Sequence, residues 1–339
     1  DKKKILGPAK APKDNRTIAI SEGSKLFLES LFLWGLLKPH SEPIRNIRVY
    51  NRSPENKIIF YNEDKNKNLG YVIENNTFIQ ILINKLQLFY NSSVLFGHDL
   101  KKIETEEKSA QAYFEKLKIK SKLIIAADGK NSTTKKMVGN KTYKKKYSEN
   151  ALVLSFLHKK SLNQTAYEIF YSTGPLAILP MKSANKKNKS SVIWSNKPDM
   201  LKKLKNSDHK FVKSFMEERL GNIVGEIEKI NSMQLFPLSA HINDSFINNR
   251  LIYVGDSAHS IHPIAGQGWN LGVNDVKNLH KICKSFKEDI GTVAFCKKYN
   301  ELSYYKAYQL YQITDKLNSH FKKNVNPHRL FSNFGFNNF

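Results

Sequence analysis

The stretch of this sequence best suited to chemistry is Leu251 to Gly272, LIYVGDSAHSIHPIAGQGWNLG. A buried apolar strand there delivers Gly255 and Asp256 at its carboxyl end, where ligands gather on an open α/β sheet. The Asp256 carboxylate is suited to accept hydrogen bonds from a polyol. The turn from Pro263 to Gly268 carries little side-chain bulk at Gly266 and Gly268, so a flat ring can approach the backbone. A helix beginning at Gly268 aims its amino terminus at that ring, and its free N–H groups and dipole favour negative charge there. The pattern points to a planar, polyol-bearing group that carries negative charge.

Two rival readings of this stretch fail on spacing. Gly266-Gln267-Gly268 before a helix suggests a dinucleotide-phosphate loop, but the third glycine, Gly272, is one residue out of step with GxGxxG and the loop does not open a βαβ unit. His259 and His262 lie three apart beside an aspartate, which raises a metal site or a base. Pro263 prevents a helix from holding both on one face, and no metal is expected.

Elements must position these residues. Apolar periodicity predicts helices at Ser24 to Leu37, Asn75 to Tyr90, Asp208 to Leu220, Gly268 to Phe286, Thr292 to Tyr299 and Ser303 to Phe321. Strands are expected at Ile44 to Arg52 and Lys57 to Tyr61 around the turn signal Ser53 to Asn56, then at Ser93 to Phe96, Ala110 to Lys116 and Leu123 to Ala127. The last, a Leu-Ile-Ile-Ala-Ala run, reads as buried on both faces and ends at Asp128-Gly129. Tyr147 to Asn196 reads as an antiparallel sheet with strands at Ala151 to Leu157, Tyr167 to Tyr171, Leu176 to Leu179 and Ser191 to Trp194. Another strand is expected at Leu251 to Val254. The class is α/β with a sheet-rich insertion.

With 339 residues, 40% hydrophobic, the chain can bury a large core, and its length suits about two domains. The longest apolar stretch, Leu26 to Leu37, contains Glu29 and is too short to cross a membrane. Cys283 and Cys296 lack any CxxC spacing, which argues against a zinc knuckle or an oxidising compartment. The net charge is +25, yet only seven of the basic residues are arginine and 48 are lysine. Readers of nucleic acid favour the arginine fork, so this reads as a solvated lysine surface, and no nucleic-acid partner is expected. The chain begins with aspartate and reads as a piece of a longer protein.

At this point the sequence resembles the flavin-dependent aromatic hydroxylases of the p-hydroxybenzoate hydroxylase (PHBH) fold, and within them the hydroxylases of ubiquinone biosynthesis, most of all the 6-methoxyphenol hydroxylase branch. The residues that carry this are GDSAHSIHPIAGQGWNLGVND at 255–275 and DNRTIAIS at 14–21, which is similar to the DxRxxALS signature. LGYVIEN at 69–75, ADG with Ser132, GPLAILPM at 174–181, FPLSAHI at 236–242 and TDKLNSHF at 314–321 extend it nearly end to end. The resemblance implies an FAD cofactor in a Rossmann-type three-layer domain made of 1–43, 69–146 and 242–300. It implies an interleaved sheet-rich substrate domain at 44–68 and 147–241, and a C-terminal helical region at 301–339. It places Arg16 near the FAD pyrophosphate or ribose, Asn75 along the adenosine, and Asp128 and Gly129 where cofactor and reductant meet. It places Gly255 and Asp256 on the ribityl chain, and Pro263, Gly266, Gln267, Gly268, Trp269 and Asn270 along the isoalloxazine. His262 and Pro263 are the candidates beside the reacting ring. On the residues alone, Arg16 could equally form a surface ion pair and Asn75 a helix cap.

The chemistry implied is hydroxylation of a polyprenylated phenol by O2 and NAD(P)H or another electron donor, through a flavin C4a-hydroperoxide, with the protein mainly positioning and desolvating the ring. The implied setting is the cytoplasm, peripheral on the inner face of the cytoplasmic membrane or in a ubiquinone-synthesis complex. Other flavoenzymes of the same scaffold (epoxidase, halogenase, prenyl reductase) and a basic RNA- or lipid-binding protein are the alternatives. Two departures stand out: the family's β-α-β unit with GxGxxG is not among these 339 residues, and Lys135 and Lys136 stand where the family often has arginine.

Overall fold

The computed structural model describes residues 14, 16–51, 53–64, 66–183 and 187–322. Asn15 of the 14–21 signature, Arg52 and the end of the chain from 323 therefore lie outside the described residues. The largest element is an eight-stranded sheet in the order β17-β14-β10-β13-β12-β11-β3-β4. Its strands are β3 (Asn46–Asn51), β4 (Ser53–Tyr61), β10 (Thr142–His158), β11 (Thr165–Tyr171), β12 (Gly174–Met181), β13 (Asn188–Asn196), β14 (Ile227–Asn243) and β17 (His259–Ser260). The pairing is antiparallel except between β11 and β3, which run parallel, so the expected antiparallel sheet is mixed at one seam. That seam follows because β3 comes from an earlier part of the chain and is not joined to β11 by a hairpin.

One face of this sheet carries Leu152, Leu154, Phe156 and Trp194, packed against Leu201 and Leu204 of α5 (Pro198–Asn206) and Val212, Met216 and Leu220 of α6 (His209–Val224). Asp208 caps α6 by accepting the Phe211 N–H at 2.8 Å. With helices on one face and the rest of the molecule on the other, β10 is buried from Ala151 to Phe156 without alternation, whereas its lysine-rich start is exposed.

The other face meets a small sheet of β1 (Thr17–Ser21), β5 (Gly70–Glu74) and β2 (Glu42–Ile44), in the order β1-β5-β2. On it pack α1 (Glu22–Ser30), α2 (Trp34–Leu37) and α3 (Asn75–Leu86). The single helix expected over 24–37 is broken in two: Phe32 adopts φ +57°, and the Leu33 and Phe32 N–H groups donate to Leu28 and Glu29 carbonyls. That is a left-handed helix stop made without glycine. α3 ends four residues before the expected Tyr90.

A third unit holds the glycine-rich stretch. β9 (Ile124–Ala126) pairs parallel with β16 (Leu251–Tyr253), which pairs with β15 (Ile247–Asn248). α7 (Gly268–Ser285) and α8 (Val293–Lys322) cover it, with Phe246, Tyr253, Phe295 and Tyr299 fully buried between them. The two helices expected at 292–299 and 303–321 are one, since nothing at 300–302 breaks the run; Asn300 turns its side chain to accept the Phe246 N–H at 2.9 Å. β9 is not buried on both faces as expected: Ile125 is 51% exposed, and among the described residues β9 pairs only with β16.

The last sheet, β6 (Leu100–Thr105), β7 (Ala110–Phe114) and β8 (Lys118–Ser121), is a meander. The strand expected at Ser93 to Phe96 is absent, and the chain pairs instead from Leu100 onward, where Glu104 faces Gln111 across the ladder. A short α4 (Thr133–Val138) follows β9. β10 and β14 run unbroken through 146/147 and 241/242, so the two parts of the chain are joined there by continuous strands.

Candidate active site

The carboxyl ends of β9 and β16 lie side by side. The Val254 N–H donates to the Ala126 carbonyl at 3.0 Å, and the Ser257 hydroxyl donates to the carbonyls of Ala126 and Val254. Asp128-Gly129 and Gly255-Asp256, far apart in sequence, thus emerge together. Gly255 has φ +61° and sits under Gly272 of α7, where an added Cβ on Gly272 would lie 3.3 Å from the Gly255 Cα. A side chain at either position would separate the turn from the helix.

The Gly255 turn is held from below by Asp275 of α7. Its Oδ2 accepts the Gly255 N–H at 2.9 Å and His259 Nε2–H at 2.7 Å, and both side chains are buried. Asp256 itself is open to solvent but surrounded by protein. Burial raises its carboxyl above the ordinary range, and His259, Lys130, Arg16 and Lys135 pull it back down. That combination describes a carboxylate lining a crevice.

Lys130 donates to the Ser239 carbonyl at 2.7 Å. Lys135 is 5% exposed, with Nζ 3.5 Å from the Ser257 carbonyl. Burial, then Lys144, brings its ammonium down to about 8, against the pull of Asp128 and Asp256. Asp128 accepts the Thr134 N–H at 3.0 Å, and Ser132 caps the same short helix through Lys135 N. Burial followed by the charge of Lys135 drives His241 down to about 3, so it stays neutral.

Arg16 and Asn75 come together through a residue the sequence had not singled out. Asp14 accepts Arg16 Nε at 2.9 Å and Nη2 at 2.6 Å, and Asn75 Nδ2 at 2.7 Å. Burial alone would raise the Asp14 carboxyl, but these hydrogen bonds and the Arg16 charge hold it below its usual range. The Arg16 guanidinium lies over the Phe236 ring, 5.4 Å from its centroid. The ion-pair reading of Arg16 is therefore present, and its half-exposed head still reaches the field of Asp256. Asn75 does not cap α3; that place belongs to Glu74.

Asn270 closes the turn. Its Oδ1 accepts the Ser21 N–H at 2.9 Å, and its Nδ2 donates to Ala19 at 2.9 Å and Gly266 at 3.3 Å. All its amide groups are used within the chain, so it shapes the loop. Gly266, φ +60°, has room for only a small atom above Ala19. Trp269 packs edge-on against Phe78 at 5.2 Å. His262 is fully buried, edge-on to Tyr147 at 4.9 Å, and supports the turn from beneath. Gly266, Gln267 and Gly268 remain partly accessible.

Cations at 16, 130 and 135, carboxylates at 128 and 256, and a glycine turn before a helix start form a donor set matched to a ligand with anionic phosphates, a polyol and a flat ring. FAD fits it. Of the residues missed by sequence reasoning, Asp14 and Asp275 stood at the ends of the two quoted motifs. Lys130 and His241 became visible only when β14 was laid beside β10.

The chain matches the model of the FAD binding domain over residues 28–302. It is 27% identical over 326 residues to ubiquinone hydroxylase UbiL of Rhodospirillum rubrum, covering 95% of this chain and 75% of that protein. It is 26% identical to the 3-demethoxyubiquinol 3-hydroxylase of Escherichia coli, over 95% of this chain and 82% of the relative. Among solved structures, PqsL of Pseudomonas aeruginosa superposes with a TM-score of 0.78 at 13% identity, over 96% of this chain and 90% of the other. The p-nitrophenol 4-monooxygenase PnpA of Pseudomonas putida gives 0.73 at 15%, over 96% and 83%. These likenesses and the geometry above agree: the chain belongs to the FAD binding domain family, as an FAD-dependent monooxygenase of PHBH-like fold related to the ubiquinone hydroxylases.

Proposed function

We propose that this enzyme hydroxylates the ring of a polyprenylated phenol on the way to ubiquinone. The observation that carries the reading is the crevice in which Asp256, Lys130, Lys135 and Arg16 meet beside the Gly266–Gly268 turn, in a chain whose curated relatives include ubiquinone hydroxylases. Bound FAD would supply the redox chemistry, taking electrons from a reductant and delivering oxygen to the ring.

The remaining work falls to the chain. Asp256 would accept the ribityl hydroxyls, and Arg16, oriented by Asp14, would face the pyrophosphate or ribose, with Asn75 on the adenosine side. Asp128 and Gly129 would border the point where the reductant approaches. Pro263, Gly266, Gln267, Gly268 and Trp269 would border the isoalloxazine, with Asn270 holding the loop to β1. The start of α7 would stabilise negative charge on the ring. His262 and Pro263 would fix the turn on which the substrate ring rests.

A polyprenyl tail needs an apolar path, and the substrate would come from the inner face of the cytoplasmic membrane or from a partner protein. Among the described residues, no helix is long and apolar enough to cross a membrane. Lysines near such a surface attract anionic lipid by about 1 kcal/mol each. The test is complementation. Expressed from its complete reading frame in cells lacking the corresponding hydroxylase, the protein should restore ubiquinone, and Asp256→Ala should not. Failure of both, with a water-soluble phenol speeding NAD(P)H oxidation and being hydroxylated, would overturn the ubiquinone assignment and leave the hydroxylase.

A further inference from the structure

Glu168 stands in the middle of β11, and strand alternation turns it away from the helix-covered core that holds Tyr167 and Ile169. Its neighbours along the strand show where it points. Ala166 packs with Val72 of β5, and Phe170 packs with Ile264, which follows Pro263 in the turn that borders the flavin position. The side chain therefore faces the gap between the large sheet and the FAD-binding part. Directly across the ladder are Val49 on one side and Ala177 on the other, and beyond Ala177 comes Ile193.

This row is unusual for the centre of a sheet. Glu168, Ala177 and Ile193 are each only partly buried, although they lie between two packed layers. Farther along the same sheet face, Phe236 lies under Arg16. From Glu168 toward Phe236 this face carries Ala177, Ile193, Val153 and then Gln234, so the surface beside the carboxyl is apolar as far as Gln234. Glu168 has no hydrogen-bond or ion-pair partner among the described residues. A carboxyl kept without a partner in apolar surroundings costs stability. A ligand hydroxyl would remove that cost.

We propose that Glu168 binds the ring hydroxyl of the phenolic substrate and takes its proton during hydroxylation. In that step the phenol O–H bond breaks and the proton forms the carboxyl O–H of Glu168. The electron pair stays on the ring oxygen and is delocalised onto the ortho and para carbons, the positions that accept oxygen. The carboxyl then returns the proton to water. The inference rests on the phenol reading above and names the residue that would recognise it.

Burial alone carries the Glu168 carboxyl up to about 8. No charged group contributes; its ladder neighbours Val49 and Ala177 are apolar, and Leu317 of α8 and Ile264 of the turn pack with Val49 beside it. A base with such an affinity for protons is matched to work near neutrality, where general base catalysis contributes about a hundredfold or more.

The test uses the full-length FAD-loaded protein with 2-isoprenylphenol and its methyl ether, 2-isoprenylanisole, as probes. Binding is read from the change in flavin absorbance, and turnover from product formation between pH 6 and 9. Wild type should bind the phenol at least tenfold more tightly than the ether, and kcat should rise with pH with a midpoint near 8. Glu168→Gln should keep the FAD content and melting temperature, change KM little, lower kcat at least tenfold and flatten the pH profile. Glu168→Leu should also lose the preference for phenol over ether. If Glu168→Gln keeps the wild-type kcat and pH profile while wild type prefers the phenol, the role of Glu168 is overturned and the phenol reading stands. If wild type binds phenol and ether equally or not at all, both fall.

Discussion

Replacing Asp275 with alanine tests whether the Gly255-Asp256 turn is held from beneath. The carboxylate is fully buried and its Oδ2 accepts two hydrogen bonds, from Gly255 N–H at 2.9 Å and His259 at 2.7 Å. Bonds to a charged acceptor contribute about 1.5–3 kcal/mol each, and cutting one side of a buried pair costs about 3–5 kcal/mol. Against this, Asp275 Oδ1 is buried with no partner among the described residues, so removing the carboxylate also relieves a desolvation cost. The expected loss is therefore near the lower figure, about 3 kcal/mol. An asparagine amide would keep one accepting oxygen, so Asp275→Asn should lose about half as much. Because the turn carries Asp256, FAD affinity should fall at least tenfold, about 1.4 kcal/mol, in the alanine variant. Guanidinium unfolding and FAD titration by tryptophan quenching would measure both. A double-mutant cycle with His259→Gln should show a coupling of about 1–3 kcal/mol. Wild-type stability and FAD affinity in Asp275→Ala would refute this account of the turn.

Asp256→Ala should weaken FAD binding by about 1.5–3 kcal/mol, the worth of a charge-assisted hydrogen bond, and unchanged flavin retention after dialysis would count against the site. Gly266→Val should destabilise the turn by about 1–2 kcal/mol, because φ +60° disfavours any side chain and Ala19 leaves little space; a melting curve that matches wild type would contradict this. Lys135 should cost the FAD-free protein stability at neutral pH. Its ammonium holds its proton to about 8 when folded against 10.5 ordinarily, so the unfolded chain binds more protons between those values and stability rises with pH across that window. Lys135→Met should then be the more stable by up to about 3 kcal/mol at pH 7, with the advantage shrinking above pH 8. An advantage that does not change with pH would show that packing, and not charge, is responsible.

Local pattern alone was enough to mark the strand into Gly255-Asp256, the glycine turn, α7 and the capped α6, because each depends on residues within a few positions of one another. Strand alternation and caps are local physics. The resemblance of DNRTIAIS and the 255–275 segment to a flavoenzyme family was likewise readable in order along the chain. What pairs with what was not. The long β14, the parallel seam of β11 with β3, the exposure of Ile125 and the missing strand at 93–96 all depend on partners distant in sequence, and a strand exists only where an edge receives it. The same holds for the site. Asp14 became its organiser because Arg16 and Asn75 converge on it, and Lys135 became a buried cation because β9 and β16 end side by side. Glu168 drew no notice in the sequence, where it is one acidic residue in TAYEIFY. Only the tertiary structure turns it into a carboxyl with no partner among the described residues, since burial and the dielectric around a group are properties of the assembled layers.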